Sequence, residues 1–275
     1  MGKDFFPERI VCLTEEPTET LYLLGEERRI VGITGFTVRP ARARREKPKV
    51  SAFTSANIDK ITDLQPDLVI GFSDIQADIA RELIAKGIPV WINNHRSVAE
   101  IYRMIVQLGS MVGKQAEAIA MVNQFQDALE KSCSTNAQKT VKPKIYFEEW
   151  YDPLISGIRW VGELLELAGG IDIFSELQLA PLAKDRIIAD SDEVVRRNPD
   201  IIIASWCGKK FKKEQLVNRK NWNKINAVKN DFVFEIKSEL ILQPGPAAVT
   251  DGIKQIVSII KKWHEEQGPN ISRNI

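Results

Sequence analysis

The stretch "NIDKITDLQPDLVIGF" at residues 57–72 returns as "SDEVVRRNPDIIIASW" at residues 191–206. Each copy reads as a short amphipathic helix, a Pro-Asp step (Pro66-Asp67 and Pro199-Asp200) and a run of aliphatic residues. A helix, turn and strand cannot bury its own apolar face, so two widely separated copies call for two lobes, each with its own sheet. The flanking segments repeat in the same order. "ERIVCLT" (8–14) is answered by "KIYFEEW" (144–150), "PTETLYLLGEE" (17–27) by "VGELLELAGG" (161–170), and "GIPVWIN" (87–93) by "NDFVFEI" (230–236). The first half adds a buried strand at "RRIVGIT" (28–34) and a helix within "ADIARELIAKG" (77–87). Uninterrupted apolar strands that alternate with helices predict parallel sheets covered on both faces. The expected fold class is therefore α/β, with two similar parallel-sheet lobes.

Between the repeats, apolar residues keep helical spacing from Val98 to about Lys131, through Ile101, Ile105, Leu108 and Val112 and then Ile119, Val122 and Leu129. At ~1.5 Å per residue, one helix over this span would be roughly 50 Å long, a strut joining two lobes. The polar "CSTNAQKTVKPK" (133–144), with Pro143, reads as a linker. The expected organisation is an N-terminal α/β lobe over 1–97, one long helix over 98–132, a linker over 133–143 and a C-terminal α/β lobe over 144–275.

Composition removes several function classes. With 38 basic against 37 acidic residues the net charge is +1, without the basic excess of a nucleic-acid binder. No window approaches the ~18 apolar residues of a membrane span. Cys12, Cys133 and Cys207 are odd in number and lack CxxC spacing, so neither a disulfide framework nor a thiolate zinc site is indicated. Two histidines, His95 and His264, are too few for a bare-metal site. Glu148 and Glu149 are adjacent, so on an extended segment they face opposite ways and cannot act as an acid/base pair. Cys207 has no evident histidine partner for thiol chemistry. No enzyme is expected, and no intrinsic cofactor. The basic cluster Arg39, Arg42, Arg44, Arg45 and Lys47 reads as a solvated loop, and the "NIS" sequon at 270–272 as chance. Met1 and Gly2 leave two expectations for location: cytoplasmic if they are a native start, periplasmic or otherwise extracytoplasmic if a signal or lipid anchor has been removed.

In a parallel α/β sheet, ligands bind beyond the carboxyl ends of the strands. The segments that follow the predicted strands are 14–18, 35–37, 72–75, 93–96, 148–152, 206–208 and 237–242. Phe36, Phe72, Trp150, Tyr151 and Trp206 all fall there. That supply of aromatic faces suits a large, flat ligand.

These residues also carry a resemblance. "RIVCLTEEPTETLYLLGEERRIVGIT", "NIDKITDLQPDLVIG" and "WNKINAVKNDFVFEIKSELILQPGPAAVTDGIKQI" resemble the substrate-binding proteins of ABC importers for cobalamin and iron siderophores, over about residues 8–263. "FEEWYDPLISGIRWVGELLELAGGIDIF" and "PDIIIASWCGKKF" are most similar to a cobalamin-binding branch. Asp59 stands where that family usually has Glu, Gln243 and Ala247 where arginines flank its Pro-Gly-Pro, and Asn230 where it has Gly. An acidic pair lies in "TEEPTE" where small residues are common.

The resemblance implies two lobes on a helical backbone that capture a cobalt corrinoid in an inter-lobe cleft with limited closure. Trp150, Tyr151, Phe72 and Trp206 would supply apolar faces. Glu149, Thr18 and Glu239 would supply polar contacts, with Glu16, Phe36, His95, Arg159 and Cys207 completing the ligand-binding set. An acidic residue on each lobe would dock an ABC permease, Asp78 or Glu82 on the first and Glu214 on the second. Two alternatives stand beside this reading. One is a ferric-siderophore or haem binder, for which Arg159, Arg96 and Lys209 would meet an anionic chelate. The other is a cytosolic corrinoid-handling or sensory protein, and in each case the expected state is a monomer. Within "LILQPGPAAV", two prolines around Gly245 predict a rigid turn that pins the last helix and holds 239–242 in place.

Overall fold

The computed structural model describes residues 5–271. Met1 and Gly2 lie outside them, as does the end of the 270–272 sequon. The chain divides into two compact units. One gathers residues up to His95 with 99–124 and 244–246; the other gathers 96–98, 125–243 and the residues from Ala247 onward.

The first unit holds five strands: β1 (Ile10–Cys12), β2 (Ile30–Thr34), β3 (Lys49–Ser51), β4 (Leu68–Phe72) and β5 (Val90–Asn93). They form one sheet in the order β3-β2-β1-β4-β5, parallel throughout. β1 lies centrally, with Ile10, Val11 and Cys12 opposite Leu68, Val69 and Ile70. Burial on both sides explains why this strand shows no polar alternation. One face packs Val11, Leu13 and Val69 against Ile61, Ile79 and Leu83 of the helices Ile58–Asp63 and Ala77–Ala85. Asn57 caps the first of these helices by accepting from Lys60 N at 2.8 Å.

The second unit holds β6 (Lys144–Tyr151), β7 (Leu154–Ser156), β8 (Ile171–Asp172), β9 (Ile201–Ala204) and β10 (Val233–Glu235), in the order β10-β9-β6-β7 with β8 also on β6. Its pairings are parallel except one. β6 continues past the expected end, turns at Asp152 and Pro153, and returns antiparallel as β7, with Tyr151 opposite Leu154. A hairpin return needs only a tight turn, whereas a parallel return needs a crossover.

The repeated Pro-Asp step has a physical role in both units. The Asp67 carboxylate accepts from Glu8 N at 2.7 Å and Arg9 N at 2.9 Å. Asp200 accepts from Lys144 N at 2.9 Å. In each case a carboxylate at the start of one strand satisfies amides at the start of its neighbour, which would otherwise be orphaned.

The single helix expected over 98–132 is two helices, Val98–Met111 and Gln115–Ala137. Gly113 adopts a φ of +72°, and Lys114 N closes back on Gly109 O at 2.7 Å. A left-handed residue followed by that back-bond terminates a helix, and glycine adopts the conformation without strain. The apolar spacing runs on through the break, so periodicity alone does not reveal it. The linker expected over 133–143 is also shorter, because helix continues to Ala137. Cys133 and Asn136 are buried, and Asn136 donates to Val257 O at 3.0 Å.

Candidate functional site

In the first unit, the loops that follow β2, β3 and β4 carry a set of exposed apolar side chains. Phe36 is 51 % exposed, Phe53 37 % and Ile75 42 %. All three stand at the carboxyl edge of the sheet, where parallel α/β folds bind ligands. Phe36 was expected there. Phe53 was missed because β3 is only three residues long and lies behind a basic run, so its following loop did not register as a strand end.

Other expected residues of this unit are enclosed. Phe72 is buried, with its ring edge-to-face with His95 at 5.1 Å. His95 Nε2 lies 2.6 Å from Pro244 O. Since a carbonyl can only accept, Nε2 carries the proton and is not a metal ligand while that bond holds. Thr18 is fully buried, and its hydroxyl reaches Thr14 O at 3.4 Å. Glu16 is buried and accepts from Thr14 Oγ1 at 2.8 Å through one oxygen, while its Oε2 has no partner. Burial outweighs these hydrogen bonds and pushes its carboxyl up to about 7.

The Pro-Gly-Pro turn packs against this same corner. A Cβ on Gly245 would lie 2.5 Å from Glu16 Cβ and 3.2 Å from its Cα, so only glycine allows the approach. The turn is thus seated between Glu16 and His95, which sequence alone did not bring near it.

The second unit presents an aromatic face. Trp150 and Tyr151 end β6, Trp206 follows β9, and Phe211 lies in the loop beyond it. Trp150 and Tyr151 are tilted at 5.2 Å between centroids, Tyr151 and Trp206 at 4.7 Å, and Trp206 meets Phe211 edge-on at 5.0 Å. Trp150 and Tyr151 are half-buried and Trp206 is buried. Lys209 Nζ stands 4.8 Å from the Tyr151 centroid and 5.6 Å from that of Trp150, and donates to the Tyr151 hydroxyl.

Two ion pairs support this face. Glu148 is fully buried; Arg219 binds it through both guanidinium nitrogens, at 2.5 and 3.0 Å, and Trp206 Nε1 donates to it at 2.9 Å. Glu149, expected as a ligand contact, is held by Arg186 at 2.6 and 3.1 Å. The adjacent carboxylates thus face different partners, as an extended backbone requires. Neither arginine was legible as a site residue, since each lies far along the chain from its carboxylate.

The remaining expected residues are spread out. Arg159 pairs with Glu163 at 2.8 Å, and Glu163 also accepts from Val98 N at 2.7 Å. Cys207 is exposed. Glu239 opens the short helix Ser238–Ile241 and is half-buried. Asp78 and Glu82 are exposed on Ala77–Ala85, with Asp78 3.3 Å from Arg81; Glu214 is exposed on Lys213–Val217. A concavity of about 290 Å³ elsewhere on this unit, lined by Phe174, Ile188, Asp190 and Arg197, includes none of the expected residues. Among the described residues, no three His, Cys, Asp or Glu side chains cluster to hold a metal, and no helix is long and apolar enough to cross a membrane.

A family model described as periplasmic binding protein matches residues 10–240. The chain belongs to the periplasmic binding protein family. It is a substrate-binding protein of the ABC-importer class, a family of transport components and not of enzymes. The uncharacterized ABC transporter substrate-binding lipoprotein YvrC of Bacillus subtilis is 26% identical to this binding protein over 268 residues, 92% of this chain and 80% of its own. The vitamin B12-binding protein of Vibrio cholerae is 24% identical over 270 residues, 95% of this chain and 92% of its own. Among solved structures, the periplasmic heme-binding protein RhuT from Roseiflexus superposes with a TM-score of 0.78 at 20% identity, covering 92% of this chain and 99% of that one. At that identity the superposition speaks for the fold alone.

Proposed function

We propose that this binding protein captures a corrinoid, a planar cobalt chelate, and delivers it to an ABC permease. The observation that carries the reading is the row of rings from Trp150 through Tyr151 to Trp206, with successive centroids 5.2 and 4.7 Å apart. The half-buried rings of Trp150 and Tyr151 offer apolar surface for a macrocycle, backed by the buried Trp206, and they lose little conformational entropy on binding because the neighbouring ion pairs already fix the backbone. The B12-binding relative supports the same ligand class. Phe36, exposed at the carboxyl edge of the first unit's sheet, is a further candidate for apolar ligand contact. Asp78 or Glu82 and Glu214 meet basic sites on the permease. An extracytoplasmic location belongs to this reading.

An iron porphyrin is the second reading, favoured by Lys209, whose ammonium on the aromatic face suits an anionic ligand better than an amide-rimmed one. Titration of tryptophan fluorescence with cobalamin, cobinamide and iron protoporphyrin separates the two. Saturable one-to-one corrinoid binding that weakens at least tenfold in Trp150→Ala is expected. Porphyrin binding without corrinoid binding moves the protein to the second reading, and silence with all three removes both.

A further inference from the structure

We infer that Arg44 is a positioning residue, which holds the loop after β2 in the form that presents Phe36 to a bound chelate. The inference rests on the reading above, in which Phe36 is a candidate ligand contact.

The basic run that follows this loop reads in sequence as solvated, yet it turns most of its cations on its own unit. Arg39 pairs with Glu19 at 2.7 Å and Arg42 with Glu27 at 2.8 Å, and Lys47 donates to Glu27 O at 2.7 Å. Arg44 reaches elsewhere. Its Nη1 donates to Gly35 O at 2.9 Å and to Thr37 O at 3.0 Å, the residues on either side of Phe36. Those two bonds use both hydrogens of one guanidinium nitrogen. The amides of the same loop find other partners: Gly35 N donates to Ser51 O at 2.7 Å, Phe36 N to Thr34 Oγ1 at 3.3 Å and Thr37 N to Thr34 O at 3.2 Å. The two strands thus satisfy the amides, and Arg44 satisfies two of the carbonyls.

The base from which Arg44 reaches is itself anchored. It belongs to the helical turn Ala43–Glu46, in which Ala43 is buried. Arg42 lies 4.7 Å over the Tyr22 ring, and the Tyr22 hydroxyl donates to Glu46 at 2.7 Å. Arg42 and Glu46 are four residues apart, so they share the side of the turn that meets the helix Glu15–Leu23. Arg44 stands midway between them, about 200° round the turn from each, and so faces the other way. Lys49 Nζ donates to the Arg44 carbonyl and fixes it from behind.

Phe36 is an exposed ring on a short loop, and such a group ordinarily gives up backbone and rotamer freedom when a ligand covers it. With the carbonyls on both sides already held, much of that ordering is complete before binding. Solvent-facing hydrogen bonds add little to global stability. Arg44 therefore acts on the order of the Phe36 loop and, through it, on affinity.

The test uses the full chain in the wild type, Arg44→Met, Phe36→Ala, the double variant and, as a charge-matched control in the same turn, Arg45→Met, each checked by circular dichroism. The first readout needs no ligand: the backbone order parameter at Phe36 from nitrogen-15 relaxation is expected near about 0.85 in the wild type and Arg45→Met and below about 0.6 in Arg44→Met. The second is affinity for cobinamide and for iron protoporphyrin. For whichever of the two the wild type binds, Arg44→Met is expected to weaken binding about three- to tenfold and Arg45→Met by less than about twofold. In the Phe36→Ala background the effect of Arg44→Met disappears, because the arginine acts through that ring. An unchanged order parameter in Arg44→Met, unchanged affinity despite lost order, or an Arg44→Met effect that persists in full without Phe36 overturns the inference and leaves the chelate reading standing. No loss of affinity in Phe36→Ala alone also overturns it, while the loss in Trp150→Ala still supports that reading. Failure of both probes to bind the wild type overturns the two together.

Discussion

The Glu148–Arg219 pair combines full burial with a single compensating charge. Glu148 is 0% exposed, while the Arg219 side chain is 16% exposed and also stacks over Trp222 at 4.5 Å. Arg219→Met keeps much of the volume and removes the charge, leaving a carboxylate whose remaining donor from a side chain is Trp206 Nε1. Breaking a buried pair from one side costs about 3–5 kcal/mol. The partial exposure of the guanidinium lets water reach the vacated position, so the lower end, about 3 kcal/mol, applies. For a unit of this size that corresponds to a fall in Tm of roughly 6–12 °C. The double variant Glu148→Gln/Arg219→Met removes both charges and retains an acceptor for Trp206, so it is expected within about 1–2 kcal/mol of the wild type. Urea unfolding of the wild type and all three variants, followed by far-ultraviolet circular dichroism and by tryptophan fluorescence, closes the cycle. A cost below about 1 kcal/mol for Arg219→Met, or a double variant no more stable than that single one, would refute the reasoning that an uncompensated buried charge governs this end of the sheet.

Three further outcomes follow from the first unit and the helix break. The Glu16 carboxyl, raised by burial to about 7 against an ordinary value of 4.5, is protonated more readily in the folded than in the unfolded chain. Its contribution is therefore fully present below about pH 4.5 and is lost as pH rises through about 7. Glu16→Gln should accordingly stabilise the protein by up to about 3 kcal/mol at pH 8 and by almost nothing at pH 4.5, measured as urea midpoints at the two pH values; equal effects at both would sink the assignment. Gly245→Ala, which drives a methyl group to within 2.5 Å of Glu16 Cβ, is expected to cost about 1–3 kcal/mol, read as a lower unfolding midpoint. Gly113→Ala forces a residue with a side chain to a φ of +72° and should cost about 1 kcal/mol, whereas a neutral or stabilising result in thermal unfolding would mean the two helices join as one in solution.

Much of the fold was legible because its signals are local. The Pro-Asp repeat, the aliphatic runs and the glycines after the helices each fix a backbone conformation or a buried face within a few residues. The same locality placed Trp150, Tyr151 and Trp206 at strand ends, where the structure brings their rings together. What escaped was decided at a distance. The break at Gly113 falls inside an unbroken apolar period. β7 arises because the chain turns at Asp152 and Pro153 and pairs back on β6. Glu149 looks like a free polar group until Arg186 arrives from 37 residues away, and His95 looks like a ligand contact until its Nε2 is found on the Pro244 carbonyl 149 residues on.

Sequence by itself determined that this chain is a duplicated α/β protein with aromatic residues at the carboxyl ends of its strands, since hydrophobic period, turn chemistry and the internal repeat are written in consecutive residues. Only the tertiary structure decided which charges remain available on the aromatic face. Glu148 and Glu149 are cancelled by arginines brought in from distant segments, and Lys209 lies over rings with no carboxylate partner among the described residues. Charge compensation depends on distances of a few ångströms between residues far apart in the chain, and no pattern of neighbours along the chain encodes those distances.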